Sequence, residues 1–198
     1  AFQLATDRDG YWGAKLVGSF SDAQIRAAVE AGRLPTRQAA DTLASILMLR
    51  RDLVVKHWYD KVSPLERFEV ERDPDDPTGR QEEGSFVVRF DDLGLREGLR
   101  TPEEVDYRWA FEHAALGRDW HGVSPATGVG ESQRIMIHPG DRDPGRPPET
   151  SRLSPEDSLA RLVLRVVRSP DGNSHPPVTV WLDWSVETGS YHVVGLEH

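Results

Sequence analysis

At Pro64 the hydrophobic repeat of this chain changes, and that change constrains the fold more than any other feature. Before it, apolar residues recur every three or four positions, the spacing that lays a stripe along a helix. After it, they alternate singly with polar residues, as in a strand with one buried and one wet face. The expected fold is therefore α+β. A three-helix segment over 1–64 packs with an antiparallel β-sandwich of about seven strands over 65–198, the two read together as one continuous structural unit.

In the helical half, Asp7 is placed to cap a segment reaching about Phe20. Gly10, Gly13 and Gly18 weaken it, each by about 1 kcal/mol relative to Ala in a helix interior. Ser21 caps a second helix to Ala31, with Gly32 as its stop. Thr36 caps the third and longest, whose apolar face is marked by Ala39, Leu43, Ile46, Leu47, Val54, Trp58 and Val62, and which Pro64 ends.

Seven alternating runs follow. They centre on Phe68 and Val70; Phe86 to Phe90; Val105 to Phe111; Arg134 to His138; Leu162 to Val166; Val178 to Trp184; and Tyr191 to Leu196. Polar residues on their other faces favour antiparallel sheets over a parallel one. The first two runs read as a hairpin with a long acidic connection. Residues 139–154, rich in Pro, Gly and Asp, read as a long loop.

Charge and composition narrow the chemistry. The chain carries 24 Lys and Arg against 33 Asp and Glu, a net charge of -9. This argues against general nucleic-acid binding, which neutralises phosphates with cations. With no cysteine, disulfides, thiolate metal sites and cysteine nucleophiles are all excluded. The most apolar region, Leu43 to Trp58, is interrupted by Arg50, Arg51, Asp52 and Lys56 and is too short for a membrane span, which takes about 20 apolar residues. No signal peptide is visible, and a start at Ala1 instead of Met reads as a piece of something longer.

The candidate site residues each carry a bland reading beside the sharp one. Asp73, Asp75 and Asp76 form the densest acidic patch, a candidate calcium site; a solvated hairpin loop explains it better, since the Asp-x-Asp-x-Asp-Gly spacing is missing. Asp119 and His121, with His113 nearby, are candidates for a metal or acid–base set in a loop. None of the seven histidines has the spacing that puts two imidazoles on one helical face for zinc. Trp120, read as a loop aromatic beside charge, with its neighbours Asp119 and His121, and Trp181, read as outward-facing, are candidates for ligand or partner contact, with core packing of the tryptophans as the alternative. Glu103 and Glu104, as strand neighbours, would point to opposite faces. Arg50, Arg51 and Asp52 interrupt the long helix, where ion pairing that orients the helix is preferred over ligand binding. No nucleophile elbow and no Gly-rich phosphate loop is present.

Several segments resemble a pattern from a family of uncharacterised bacterial proteins: Asp9-Gly10-Tyr11-Trp12-Gly13-Ala14-Lys15-Leu16-Val17, Phe20-Ser21-Asp22, Arg50-Arg51-Asp52-Leu53 with His57-Trp58-Tyr59, Ser63-Pro64-Leu65, and the ending Val193-Val194-Gly195-Leu196-Glu197. The acidic stretch from Asp73 to Glu83 departs from it. The resemblance implies the C-terminal region of a longer, exported polypeptide, periplasmic or extracellular, with an upstream kinase-like segment. It implies no activity for any residue here.

The expected function is a non-catalytic accessory module whose partner is the preceding domain of a longer chain or another protein. Two alternatives stand beside it. One is a carbohydrate- or peptide-binding sandwich presenting Trp120 or Trp181. The other is a metal-dependent hydrolase using Asp119, His121 and His113.

Overall fold

The computed structural model describes residues 6–73, 85–114, 118–128, 132–137, 158–168, 174–185 and 187–198. They fall into two compact units, dividing between Val62 and Ser63.

The first unit holds α1 (Asp7–Gly18), α2 (Asp22–Ala31) and α3 (Arg37–Lys61). Thr6, not Asp7, caps α1. Its hydroxyl accepts the Asp9 amide at 3.2 Å, and the Asp9 carboxylate accepts the Thr6 amide at 2.8 Å. That amide bond, followed by the hydroxyl's, holds the Asp9 carboxyl below its ordinary pKa. Ser21 and Gln24 form the same reciprocal cap on α2. Gly32 closes α2 in a right-handed conformation; the left-handed residue beyond it, a place where glycine is usual, is Arg33 at φ 47°.

The buried stripe of α3 is Ala44, Met48, Val55 and Tyr59, one residue out of phase with the face expected from sequence. Leu43, Ile46, Leu47 and Val54 are exposed. The stripe's missing member is position 51, which is occupied by Arg51 with a side chain only 16% exposed. Its Nη1 donates to the Phe20 carbonyl at 2.7 Å, and its Nη2 lies 2.8 Å from both Asp22 and Asp52. Burial alone would lower the guanidinium pKa; the two carboxylates outweigh it and raise it. Arg51 and Asp52 thus pair as expected, with Asp22 as a further partner, and clamp the α1–α2 turn onto α3. Arg50 is exposed. Glycine serves α1 as well as weakening it: a Cβ on Gly10 would lie 2.4 Å from the Trp58 indole, so the close approach of α1 and α3 needs its absence.

The second unit follows with β1 (Leu65–Arg72), β2 (Phe86–Asp92), a one-turn helix α4 (Leu93–Arg96), a 3-10 turn (Pro102–Glu104) and β3 (Val105–His113). Then come β4 (Arg118–Pro125), β5 (Gln133–Ile137), β6 (Leu159–Arg168), β7 (Val178–Ser185) and β8 (Ser190–Glu197). One sheet has the order β1-β2-β5 and the other β4-β3-β6-β7-β8, with every pairing antiparallel. The α+β class and sheet-rich C-terminal part are as expected. The described residues form eight strands, and the one beyond the expected seven is β4. Glu103 and Glu104 lie in the 3-10 turn, not on a strand.

One apolar cluster draws on both sheets, so they pack face to face. Phe86 meets Phe111 at 5.3 Å and Tyr191 at 5.1 Å between ring centroids, and Phe90 meets Tyr107 edge-on at 4.8 Å. The inner positions of β4 are Trp120, Gly122 and Ser124, a poor strand signature. Trp109 explains the glycine: its indole covers the opposite position, and a Cβ on Gly122 would lie 2.5 Å from it.

A buried polar group also joins the sheets. The Asp92 side chain, fully buried at the end of β2, accepts the amides of Gly94 and Leu95 at 2.8 and 3.2 Å and so starts α4. Its other oxygen accepts the Tyr107 hydroxyl from β3 at 3.0 Å and lies 3.6 Å from Arg100 Nη1. Burial, then the adjacent carboxylate, raises the Tyr107 pKa, so the phenol stays a donor. Asp92→Ala leaves Arg100 buried without this partner and should cost about 3–5 kcal/mol. Tyr107→Phe removes one bond to a charged group and should cost about 1.5–3 kcal/mol. Urea denaturation of both variants checks the ranking; equal small losses would count against Asp92 as the junction.

Candidate functional site

The pleat decides where the sequence-predicted site residues point. On β4, Asp119, His121 and Val123 are exposed while Trp120 and Gly122 face the core. Register carries that outer face across the whole five-stranded sheet. Asp119, Glu112, Arg161, Trp181 and Gly195 stand directly opposite one another on successive strands. The neighbouring row reads His121, Ala110, Val163, Thr179 and Glu197. Three of the four residues singled out for ligand or partner contact therefore share one surface.

That surface has a definite chemistry. Arg161 Nη2 is 2.6 Å from Glu112 Oε2, with both side chains half exposed. Trp181, 37% exposed, stands beside this pair, and Gly195 leaves its other flank free of a side chain. Small residues at Ala110, Val163 and Thr179 keep the adjoining row low. Asp119 lies three strands from Trp181, about 14 Å at the usual strand spacing. The two cannot grip one small group, but they frame a shelf on which an extended ligand can lie.

Trp120 belongs elsewhere. It is a strand residue, not a loop residue, and its ring packs 5.5 Å from Phe111 against the core. His113 faces inward too, fully buried, with Nδ1 2.8 Å from the Tyr191 hydroxyl. The sheet itself thus separates His113 from Asp119 and His121, and the acid–base or metal set expected of the three is not assembled. Among the described residues no three His, Asp or Glu side chains are grouped to hold a metal ion. Asp73 is buried just past β1; Asp75 and Asp76, and with them most of the calcium candidate, lie outside the described residues. Arg51 and Asp52 belong to the clamp described above, and Arg50 is exposed outside it.

The helical unit holds two further surfaces, one of them built largely from residues that the sequence pattern assigns to the buried face of α3. Along α3, Leu43, Leu47 and Val54 form a second apolar strip, and Ile46, Leu49 and Leu53 a third, with Leu49 and Leu53 each 59% exposed. The legible signal was the run Thr42–Leu49, eight residues without a charge. Between α2 and the start of α3 lies a cleft of about 280 Å3, lined by Arg26, Arg33 and Arg37 among others. Among the described residues no helix is long and apolar enough to cross a membrane.

No family model matches the sequence, and no curated protein matches it. The site therefore stands on its own geometry.

The two tryptophans should separate cleanly by stability. Trp120→Ala opens the core edge and should cost about 3 kcal/mol, the low end for a large-to-small core change. Trp181→Ala should stay within about 0.5 kcal/mol, as surface changes do. Thermal and urea unfolding of both variants measure the difference; a large loss at Trp181 would make it a packing residue.

Proposed function

We propose that the chain is a non-catalytic interaction module, the C-terminal part of a larger bacterial protein, which docks onto the preceding domain of that protein through the outer strips of α3. The observation that carries this reading is the uncharged run Thr42–Leu49, in which only Thr42 and Ser45 are polar. A helix segment with apolar residues well beyond a single stripe is normally enclosed by protein. Here one stripe is used inside the unit, and Leu43, Ile46, Leu47 and Leu49 are left exposed. Contiguous apolar surface of this kind marks association sites. The preceding domain is the favoured partner because the strips belong to the helical unit, which the chain enters first. The sandwich, its inner faces consumed by its own core, offers no assembled reactive centre among the described residues.

A second reading is favoured by the row through Trp181: the outer sheet face as a platform for a carbohydrate. An exposed indole stacks on a sugar's apolar face, and Glu112, Arg161 and Asp119 supply hydrogen-bonding groups for hydroxyls along the same row.

This sequence has no cysteine of its own, so the docking reading can be tested in the full natural polypeptide once any cysteine outside it has been replaced by serine. Single cysteines introduced as Leu47→Cys and Val54→Cys should react with a maleimide about tenfold more slowly than one at Gln24, because a docked surface opens only transiently. Equal rates at all three positions would remove the docking reading. For the second reading, a panel of immobilised neutral oligosaccharides should retain the chain and not Trp181→Ala; no retention of the unaltered chain discards it.

A further inference from the structure

The cleft between α2 and α3 has a built polarity. Its floor is the small core cluster of Val29 and Ala44, joined by Ala40, and Leu34 stands at its side. Two of the α3 residues facing it are alanines, and their size leaves the space open. Around the rim stand Arg26, Arg33 and Arg37, with Glu30 and Asp41.

The three arginines are the unusual element. Their guanidinium groups engage no carboxylate among the described residues, although Glu30 and Asp41 line the same cleft. Arg26 and Glu30, and Arg37 and Asp41, are even spaced i,i+4, where helical pairs commonly form. Arg33 reaches the rim from a left-handed backbone that would suit glycine better. Thr36, the cap of the 25-residue α3, also lines the cleft, so its mouth lies at the helix end whose dipole favours negative charge.

Charge complementarity sets the occupant. Three guanidinium groups against two carboxylates leave an excess of one positive charge, which a monoanion balances and a dianion overshoots. A guanidinium fork matches a carboxylate in a bidentate manner. The apolar floor calls for a short hydrocarbon tail, and the volume falls just below the usual range of ligand pockets, which starts at about 300 Å3, so only a small ligand fits. We infer that this cleft binds a small monocarboxylate, its carboxylate held by Arg26, Arg33 and Arg37 and its short apolar tail laid on Val29, Ala40 and Ala44. This site is separate from the α3 strips and from the sheet face, and stands or falls without them.

Hexanoate, butanoate, hexanol and inorganic phosphate are the probes, titrated into the full chain with amide chemical shifts of residues 25–44 as the readout. Hexanoate should saturate below about 10 mM and bind about tenfold more tightly than butanoate, since each buried methylene adds up to about fourfold. Hexanol should not saturate, and phosphate should bind more weakly than hexanoate. Arg33→Gly relieves the left-handed backbone, so it should fold at least as well as the parent while weakening hexanoate about fivefold or more. Ala40→Leu fills the cleft and should abolish binding, its fold checked by circular dichroism. The inference is overturned by any of three results: no saturation with hexanoate, hexanol binding as well as hexanoate, or unchanged affinity in Arg33→Gly.

Discussion

A carboxylate with no exposed surface has to find all its partners inside the protein, and the placement of Asp92 organises the sandwich around that demand. Burying an unpaired charge costs far more than a single hydrogen bond returns. Asp92 meets the requirement with two amides from the turn ahead of it, a phenol from the other sheet and a guanidinium close by. Each partner fixes something larger than itself. The amides start α4 where β2 must end. Tyr107 belongs to β3, so its bond to a β2 residue sets how the two sheets stack, and the same ring meets Phe90 edge-on. Once these strands are aligned, the rows described for the outer face of the five-stranded sheet follow from pairing alone.

The larger features of this fold were legible because they rest on period. Single alternation in β3 and β7 translated directly into buried and exposed faces, and the caps at Ser21 and Thr36 did their expected work. Where period was ambiguous, reading failed. In α3 apolar residues occupy so many positions that two stripes fit almost equally well. The helix buries the one containing Ala44 and Arg51, because small side chains permit close packing and the Arg51 guanidinium has Asp22 and the Phe20 carbonyl to meet. Nothing local to α3 announces partners some thirty residues away. β4 was hidden for a related reason. Its inner face is Trp120, Gly122 and Ser124, and the glycine makes sense only once Trp109 is known to lie across it.

The candidate surfaces show the same division. Trp181 was placed outward by alternation with Val180 and Leu182, a local argument, and it is outward. Trp120 was placed in a loop by its polar and glycine neighbours, and a neighbouring strand captures it instead. Asp119 and His121 are on the surface, but His113 is on the other side of the same sheet, a separation that depends on which residues of β3 and β4 are paired. The Asp92 junction had no sequence signal at all: an Asp at a strand end looks the same whether it meets water or a buried tyrosine.

The helical unit is where structure and composition leave the most unexplained apolar surface. Its first 62 residues carry nine Lys and Arg against seven Asp and Glu, so the chain's acidity comes from the residues that follow. A unit this small has little interior to offer: one of its clusters is only Val29, Ala44 and Met48, with Ile25 and Ala40 beside them. Ala at 40 and 44 makes that interior thinner still, when Leu or Ile was available elsewhere on the same helix and faces outward. A helix selected only to hold three short segments together would place its large side chains inside and its small ones outside. In α3 the distribution runs the other way along Ala40–Leu49, which is the expected pattern when the interior must leave a cleft open and the exterior must be covered by something else.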